Sequence, residues 1–313
     1  MAPPDLTARP LGLAEVIDRS IAVGLRHFRP LFVAMLVIQA PALVVARQLP
    51  GIELLSAASD PVRGAELLER GARALAIVLL ALLTLQFLAT AAAAVIVGPT
   101  LDPRRAALRP TGMRRLAAVA TSTALMVVLL AAAPVAGALP GIALSMRAGS
   151  LPTAVAGAAG ALVGGVGLFV VAMLRLILVP AVAALEGCSG PAALVRSSRL
   201  MSPAPGSRFV ARPGVRASIV LLAMFVLAVS VNALAGIPRM VALRAQGGGG
   251  GLALLGAHLP LPLEIAVSLF EAVAGAALQP FSLVAVVVFY FDRRARRDGL
   301  DLEIWADRME QRA

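Results

Sequence analysis

The chain has 313 residues, of which 59% are hydrophobic and only 14% charged, against about 45–50% and about 25% in soluble domains. That balance excludes a water-surrounded globule and calls for lipid as the solvent of most of the chain. The net charge of +11 would also suit a nucleic-acid binder, but the basic residues, all arginine, lie between long apolar runs. Positive loops at an anionic membrane face therefore explain them, and nucleic acid is not expected as a partner.

The opening stretch, MAPPDLTARPLGLAEVIDRS, combines prolines and acids with no apolar core. It does not read as a cleavable signal peptide, so the first spanning helix is expected to target the chain. About 20 apolar residues cross the hydrocarbon, and six segments qualify: 30–49, 74–98, 116–145, 155–186, 216–237 and 262–291. The first is short in its charge-free part, so Arg29 and Arg47 must snorkel. Pro41, Pro134, Pro180 and Pro280 mark expected bends. Between the first two spans, Asp60 suits an N-cap, Pro61 a first helical turn, and Glu66–Arg70 and Glu69–Arg73 form i,i+4 pairs. Residues 247–251 are five glycines, a flexible loop.

Twenty arginines fall in the N-terminal arm, the 99–115 and 187–216 loops and the tail after Phe291, against seven in the opposite loops. The positive-inside rule then places both termini in the cytoplasm. The absence of lysine, with abundant Ala, Arg and Gly, points to a bacterial inner-membrane protein. Each cytoplasm-to-outside span follows a segment mixing arginine with apolar residues at helical spacing: 11–32, 100–116 and 189–209. This suggests three units, each a cytoplasmic interfacial amphipathic helix plus a transmembrane hairpin. The alternative is that any positive-inside loop gathers arginines.

Catalytic patterns are weak. The single cysteine, Cys188, excludes an internal disulfide and a cysteine-based zinc cluster. GCSG at 187–190 matches the Gly-x-Ser-Gly loop of rhomboid-type proteases, but that chemistry needs a nearby histidine. His258 is predicted on the opposite membrane face from Ser189. A capping turn with Ser189 as N-cap and Pro191 after it explains the motif. GAAG (157–160) and GGVG (164–167) are small-residue faces that let helices approach closely. No HExxH, Walker A or GxGxxG pattern occurs, and no cofactor or metal is expected.

Arg175 interrupts the fourth span. Taking the boundary near Glu186, it lies eleven residues deeper, about 16 Å. Gln39, Gln86 and Gln279 fall near the same level on the first, second and sixth spans, with Glu271 further out and Asn232 at comparable height on the fifth. Three readings stay open. Arg175 centres a polar pocket for an anionic headgroup or solute; it is a strut bonded to Gln279, a free carbonyl or Glu271; or the boundary lies further out and Arg175 snorkels, with 176–186 in the interface.

The tail FYFDRRARRDGLDLEIWADRM (289–309) holds the only Tyr and Trp of the chain. Tyr290 and its neighbours Phe289 and Phe291 suit an aromatic belt, and Arg293, Arg294, Arg296 and Arg297 are expected to meet anionic headgroups. Residues 300–309 suit a short return helix with Leu302, Ile304 and Trp305 in the interface. Tyr290, Asp292, Arg293, Arg297, Gly299 and Asp301, with Pro280, RPLGLAEVIDRSIAVGLRHFRPL and RLILVPAVAALEG…AALVRSSRLM, resemble the membrane domain attached to some bacterial glycerophosphoryl diester phosphodiesterases. The resemblance implies the membrane module without its catalytic barrel, since RHFRP around His27 is not the barrel's His-Arg-Gly start. The expectation is an all-α polytopic membrane protein of six transmembrane helices. It is non-enzymatic, a scaffold or a lipid-interacting module, packing with itself or a membrane-protein partner. The alternative is a transporter or lipid-handling protein with a polar site around Arg175.

Overall fold

The computed structural model describes residues 10–46, 61–102, 112–147, 149–203, 209–245 and 259–299. Among these, helices are the only repetitive structure: α1 Leu13–Arg26, α2 Phe28–Ala46, α3 Pro61–Leu101, α4 Gly112–Met146, α5 Leu151–Leu176, α6 Val179–Glu186, α7 Pro191–Met201, α8 Pro213–Ala235, α9 Ile237–Ala245 and α10 Leu261–Asp298, with a 3-10 turn at Phe209–Ala211. Among the described residues, five stretches are long and apolar enough to cross a membrane: Ala76–Leu101, Gly112–Met146, Leu151–Glu186, Pro213–Ala245 and Pro262–Asp298. A sixth is counted if α1 and the start of α2, bent by 87°, form one span. The chain is an all-α polytopic membrane protein. Asp60, the glycine run, His258 and residues 300–309 lie outside the described residues.

Five of the six expected spans fall where hydrophobicity puts them; the first, 30–49, is met only as part of the bent pair, and its residues 47–49 lie outside the described residues. Three departures from the expected spans stand out. The fourth is broken at Ile177–Leu178. Pro180 has no N–H for the Leu176 carbonyl and its ring crowds that turn. The neighbouring Arg175 carbonyl instead accepts the Ser197 hydroxyl at 2.8 Å. By contrast, Pro134 and Pro280 sit inside continuous helices. The sixth span does not stop at Phe291. It continues to Asp298 and ends on Gly299 at φ 67°, a left-handed position suited to glycine. Residues 292–298 are thus helix, not tail.

The third departure concerns α1. Its stripe Val16, Ser20, Val23 and Gly24 is buried. The Leu11 N–H bonds Asp292, and a Cβ on Gly24 would meet the Phe281 ring at 2.8 Å. Thirteen residues of one segment therefore match eleven of the other, and α1 runs antiparallel along α10 instead of lying free in the interface.

Two halves differ in how they bury themselves. Toward the end bearing α9 and the start of α10, apolar side chains face outward: Leu151 is 78% exposed and Val163 72%. Water would not tolerate so large a patch, and lipid does. There α4 and α5 pack backbone to backbone through Gly137, Gly141, Gly157, Gly164 and Gly165, so GAAG and GGVG act as the expected packing faces. Toward the arginine-rich end, α6 and the C-terminal halves of α3 and α10 form the centre. Val179 through Leu185 are all buried, as are Ala89, Ala93, Ala94 and Val97 of α3. Small residues bring these helices close: a Cβ on Gly98 would meet Leu185 at 2.5 Å.

Candidate functional site

The arginine-rich end is organised around Arg294. Asp102 directly follows α3, while Glu186 and Asp298 are the last residues of α6 and α10. An anion at a helix C-terminus faces the negative end of the helix dipole, so each acid needs a cation. Arg294 supplies one to all three, at 3.6 Å from Asp102, 3.9 Å from Glu186 and 3.7 Å from Asp298. Arg196 of α7 adds a second, donating to Glu186 Oε2 at 3.0 Å and pairing with Asp298. Burial opposes the Arg196 cation, but its hydrogen bonds to Asp298 and Glu186 outweigh that and raise its pKa above the ordinary arginine value. The Tyr290 hydroxyl donates to Glu186 Oε1 at 2.6 Å. One acid from the end of each returning helix thus meets one guanidinium, which joins the three hairpins.

A second cluster grips the N-terminal segment. Asp292, 1% exposed, accepts from the Leu11 N–H at 2.8 Å and from Arg296 Nε at 3.0 Å, and lies 3.5 Å from Arg216. The Leu11 carbonyl in turn accepts from Arg216 at 2.8 Å and Arg296 at 2.6 Å. On the other side of α10, Arg293 donates to the Leu200 carbonyl at 3.0 Å and Arg297 to that of Ser202 at 3.2 Å. Arg115 donates to the Ala184 carbonyl at 2.6 Å. His27 pairs with Thr100 at 2.8 Å. The bonds to Ala184, Leu200 and Ser202 satisfy carbonyls at or just past helix ends, while the His27 bond is to the Thr100 hydroxyl.

The headgroup expectation is therefore corrected for two of four tail arginines. Arg293 and Arg294 are buried in the protein, while Arg296 and Arg297 are exposed. The aromatic belt is corrected too: Phe289, Tyr290 and Phe291 are core residues. Gly190, not Ser189, caps α7; its φ is 53° and its N–H bonds the Ser122 hydroxyl at 2.9 Å.

The residues expected at one intramembrane level separate. Gln279 donates to Gln86 Oε1, joining α10 to α3. Glu271 pairs instead with Arg239 of α9 at 3.8 Å, which also holds Glu264 at 3.1 Å. The Gln39 and Asn232 side chains lie outside the described set. The Arg175 side chain is exposed on the outer surface, and no hydrogen bond or ion pair of its guanidinium is found among the described residues. A charge at the bilayer centre costs at least about 2.5–3.5 kcal/mol, so its position on that face demands a boundary or a counter-charge nearby. Because interhelical polar contacts average about 0.6 kcal/mol in the membrane system where they were measured, Gln86→Leu should lower stability by about that amount. The Gln86→Leu/Gln279→Leu double variant should unfold at nearly the wild-type temperature. A much larger loss in the double variant would assign the pair a role beyond packing.

Sequence reasoning missed Asp102, Glu186 and Asp298 as a set. The available signal was an acid closing each returning helix, followed by glycine in LEG (185–187) and RDG (297–299). Among the described residues, no group of three His, Cys, Asp or Glu side chains is placed to hold a metal ion. No protein-family model matches the chain, and no curated protein or solved structure does so either.

Proposed function

We propose that the chain is a non-enzymatic bacterial inner-membrane module that holds anionic lipid headgroups at its arginine-rich end, which faces the cytoplasm. The observation that carries this reading is the division of charge. Among the described residues, Asp102, Glu186, Asp292 and Asp298 of that end are paired with Arg294, Arg196, Arg216 and Arg296 in the interior. Meanwhile Arg26, Arg29, Arg114, Arg199, Arg212 and Arg297 stand exposed around it. Each arginine near an anionic surface is worth roughly 1 kcal/mol, about fivefold in affinity. Kinship with the membrane domain of glycerophosphoryl diester phosphodiesterases belongs to the same proposal. It rests on Tyr290, Asp292, Arg293, Arg297 and Gly299, each of which has a structural task at the hub.

The transporter alternative draws less support, because Gln86 and Gln279 bond each other while Arg175 stands on the outer face. The test is lipid retention. Protein extracted from equimolar phosphatidylglycerol and phosphatidylcholine should carry phosphatidylglycerol in several-fold excess. Replacing Arg26, Arg199, Arg212 and Arg297 with glutamine should return the retained lipid to the bulk ratio. Equal retention of both lipids by the unaltered protein would overturn the reading.

A further inference from the structure

We infer that residues 300–310 of this chain dock on the exposed face of α7 and cover Arg199 and Arg297, where they compete with anionic lipid. The competition rests on the headgroup-binding reading above; the docking stands on the surface itself. α7 buries Ala193, Leu194, Ser197, Leu200 and Met201. It turns Ala192, Val195 and Arg199 outward, three residues that share one side of the helix. Val195 is 48% exposed, although α7 belongs to none of the stretches apolar enough to cross a membrane. Arg199 and Arg297 flank a single residue. The Ser202 N–H donates to the Arg199 carbonyl at 3.2 Å, and the Ser202 carbonyl accepts from Arg297 at 3.2 Å. Both arginines are exposed, and neither has an ion pair with another described residue.

Residues 300–310 start from this face. Asp298, the last residue of α10, pairs with Arg196, the chain neighbour of Val195, and Gly299 turns the backbone at φ 67°. Trp305 follows six residues later, a reach of up to about 20 Å, so Val195 is well within range. Charge then selects α7 among the surfaces in reach. LDLEIWADRME (300–310) carries four acids against one arginine, interleaved with Leu302, Ile304 and Trp305. The α1 face beside the same end of α10 exposes Glu15 and Asp18, like charges that repel the segment. α7 and the end of α10 offer the opposite sign, Arg199 and Arg297, next to the apolar Val195. The acids of the segment take the two guanidiniums, and Trp305 covers Val195.

Trp305 is the only tryptophan of the chain, so its fluorescence reports the segment directly. In phosphatidylcholine nanodiscs the full chain should shield Trp305 from acrylamide and from a nitroxide carried on the lipid headgroup. Val195→Asp, or Arg199→Glu together with Arg297→Glu, should raise acrylamide quenching at least twofold and shift the emission to the red, with the melting temperature little changed. Phosphatidylglycerol in the nanodisc should do the same to the unaltered chain. Nitroxide quenching of Trp305 in phosphatidylcholine would put the segment in the membrane interface and overturn the docking. Equal acrylamide quenching of the unaltered chain and both variants would overturn it as well. If phosphatidylglycerol is retained in excess yet leaves Trp305 shielded, the competition fails and the headgroup-binding reading survives. If that excess is absent too, both fail.

Discussion

Asp292→Ala is expected to destabilise the folded chain by about 3–5 kcal/mol, the usual cost of removing one partner of a buried ion pair. The substitution strands Arg216, itself only 8% exposed, and leaves the Leu11 N–H without its acceptor. Both losses fall on the contact that holds the N-terminal segment against α10. Thermal unfolding in detergent should report the loss, and limited trypsin digestion should show earlier cleavage within α1, at Arg19 or Arg26. Asp18→Ala, at an exposed position of the same helix, should stay within about 0.5 kcal/mol of wild type. A stability change under 1 kcal/mol for Asp292→Ala would mean that the cluster is not what docks α1.

Gly141→Ala, a single added methyl group, should cost about 3 kcal/mol or more. A Cβ there would lie 2.1 Å from the Ala161 nitrogen, and at Gly137 2.2 Å from the Gly164 carbonyl oxygen. These are backbone atoms, which no rotamer change can move aside, so α4 and α5 must separate along their shared length. Ordinary overpacking costs about 1–3 kcal/mol, and a rigid backbone obstacle belongs at or above that range. Gly167→Ala provides the contrast on the partner helix α5. Nothing lies within 4 Å of its Cβ, and the higher helix propensity of alanine offers up to about 1 kcal/mol. Similar melting temperatures for the two variants would rule out backbone contact as the basis of the hairpin.

The glycine hairpin was legible in advance because its signal is local. Both members of each contact lie on neighbouring helices joined by a short turn, and small residues at helical spacing have few uses in lipid other than close approach. The spans were legible for a related reason, since a bilayer requires a fixed length of apolar helix whatever its neighbours are. The Arg175 cluster was not. Equal depth placed Gln86, Arg175 and Gln279 at one level, but depth says nothing of the direction a side chain takes around its helix. Gln86 and Gln279 face each other, Arg175 faces outward, and Glu271 is taken by Arg239.

From the amino-acid sequence alone followed the helical class, five of the stretches long and apolar enough to cross a membrane, and the concentration of arginine at one end. These depend on composition and on the free energy of moving side chains from water to hydrocarbon, which sum along the chain. Only the tertiary structure decided which arginines are buried. Arg293, Arg294, Arg296 and Arg297 look alike in the sequence, yet Arg293 is buried against Leu200 of α7 and Arg294 among Asp102 and Glu186 at the ends of α3 and α6, while the others stay exposed. The residues that settle it are far away in the chain, Leu11 being 281 positions from Asp292 and Leu200 93 from Arg293. Local hydropathy holds no information about such partners, because a buried charge is stable only by virtue of the groups that fold against it.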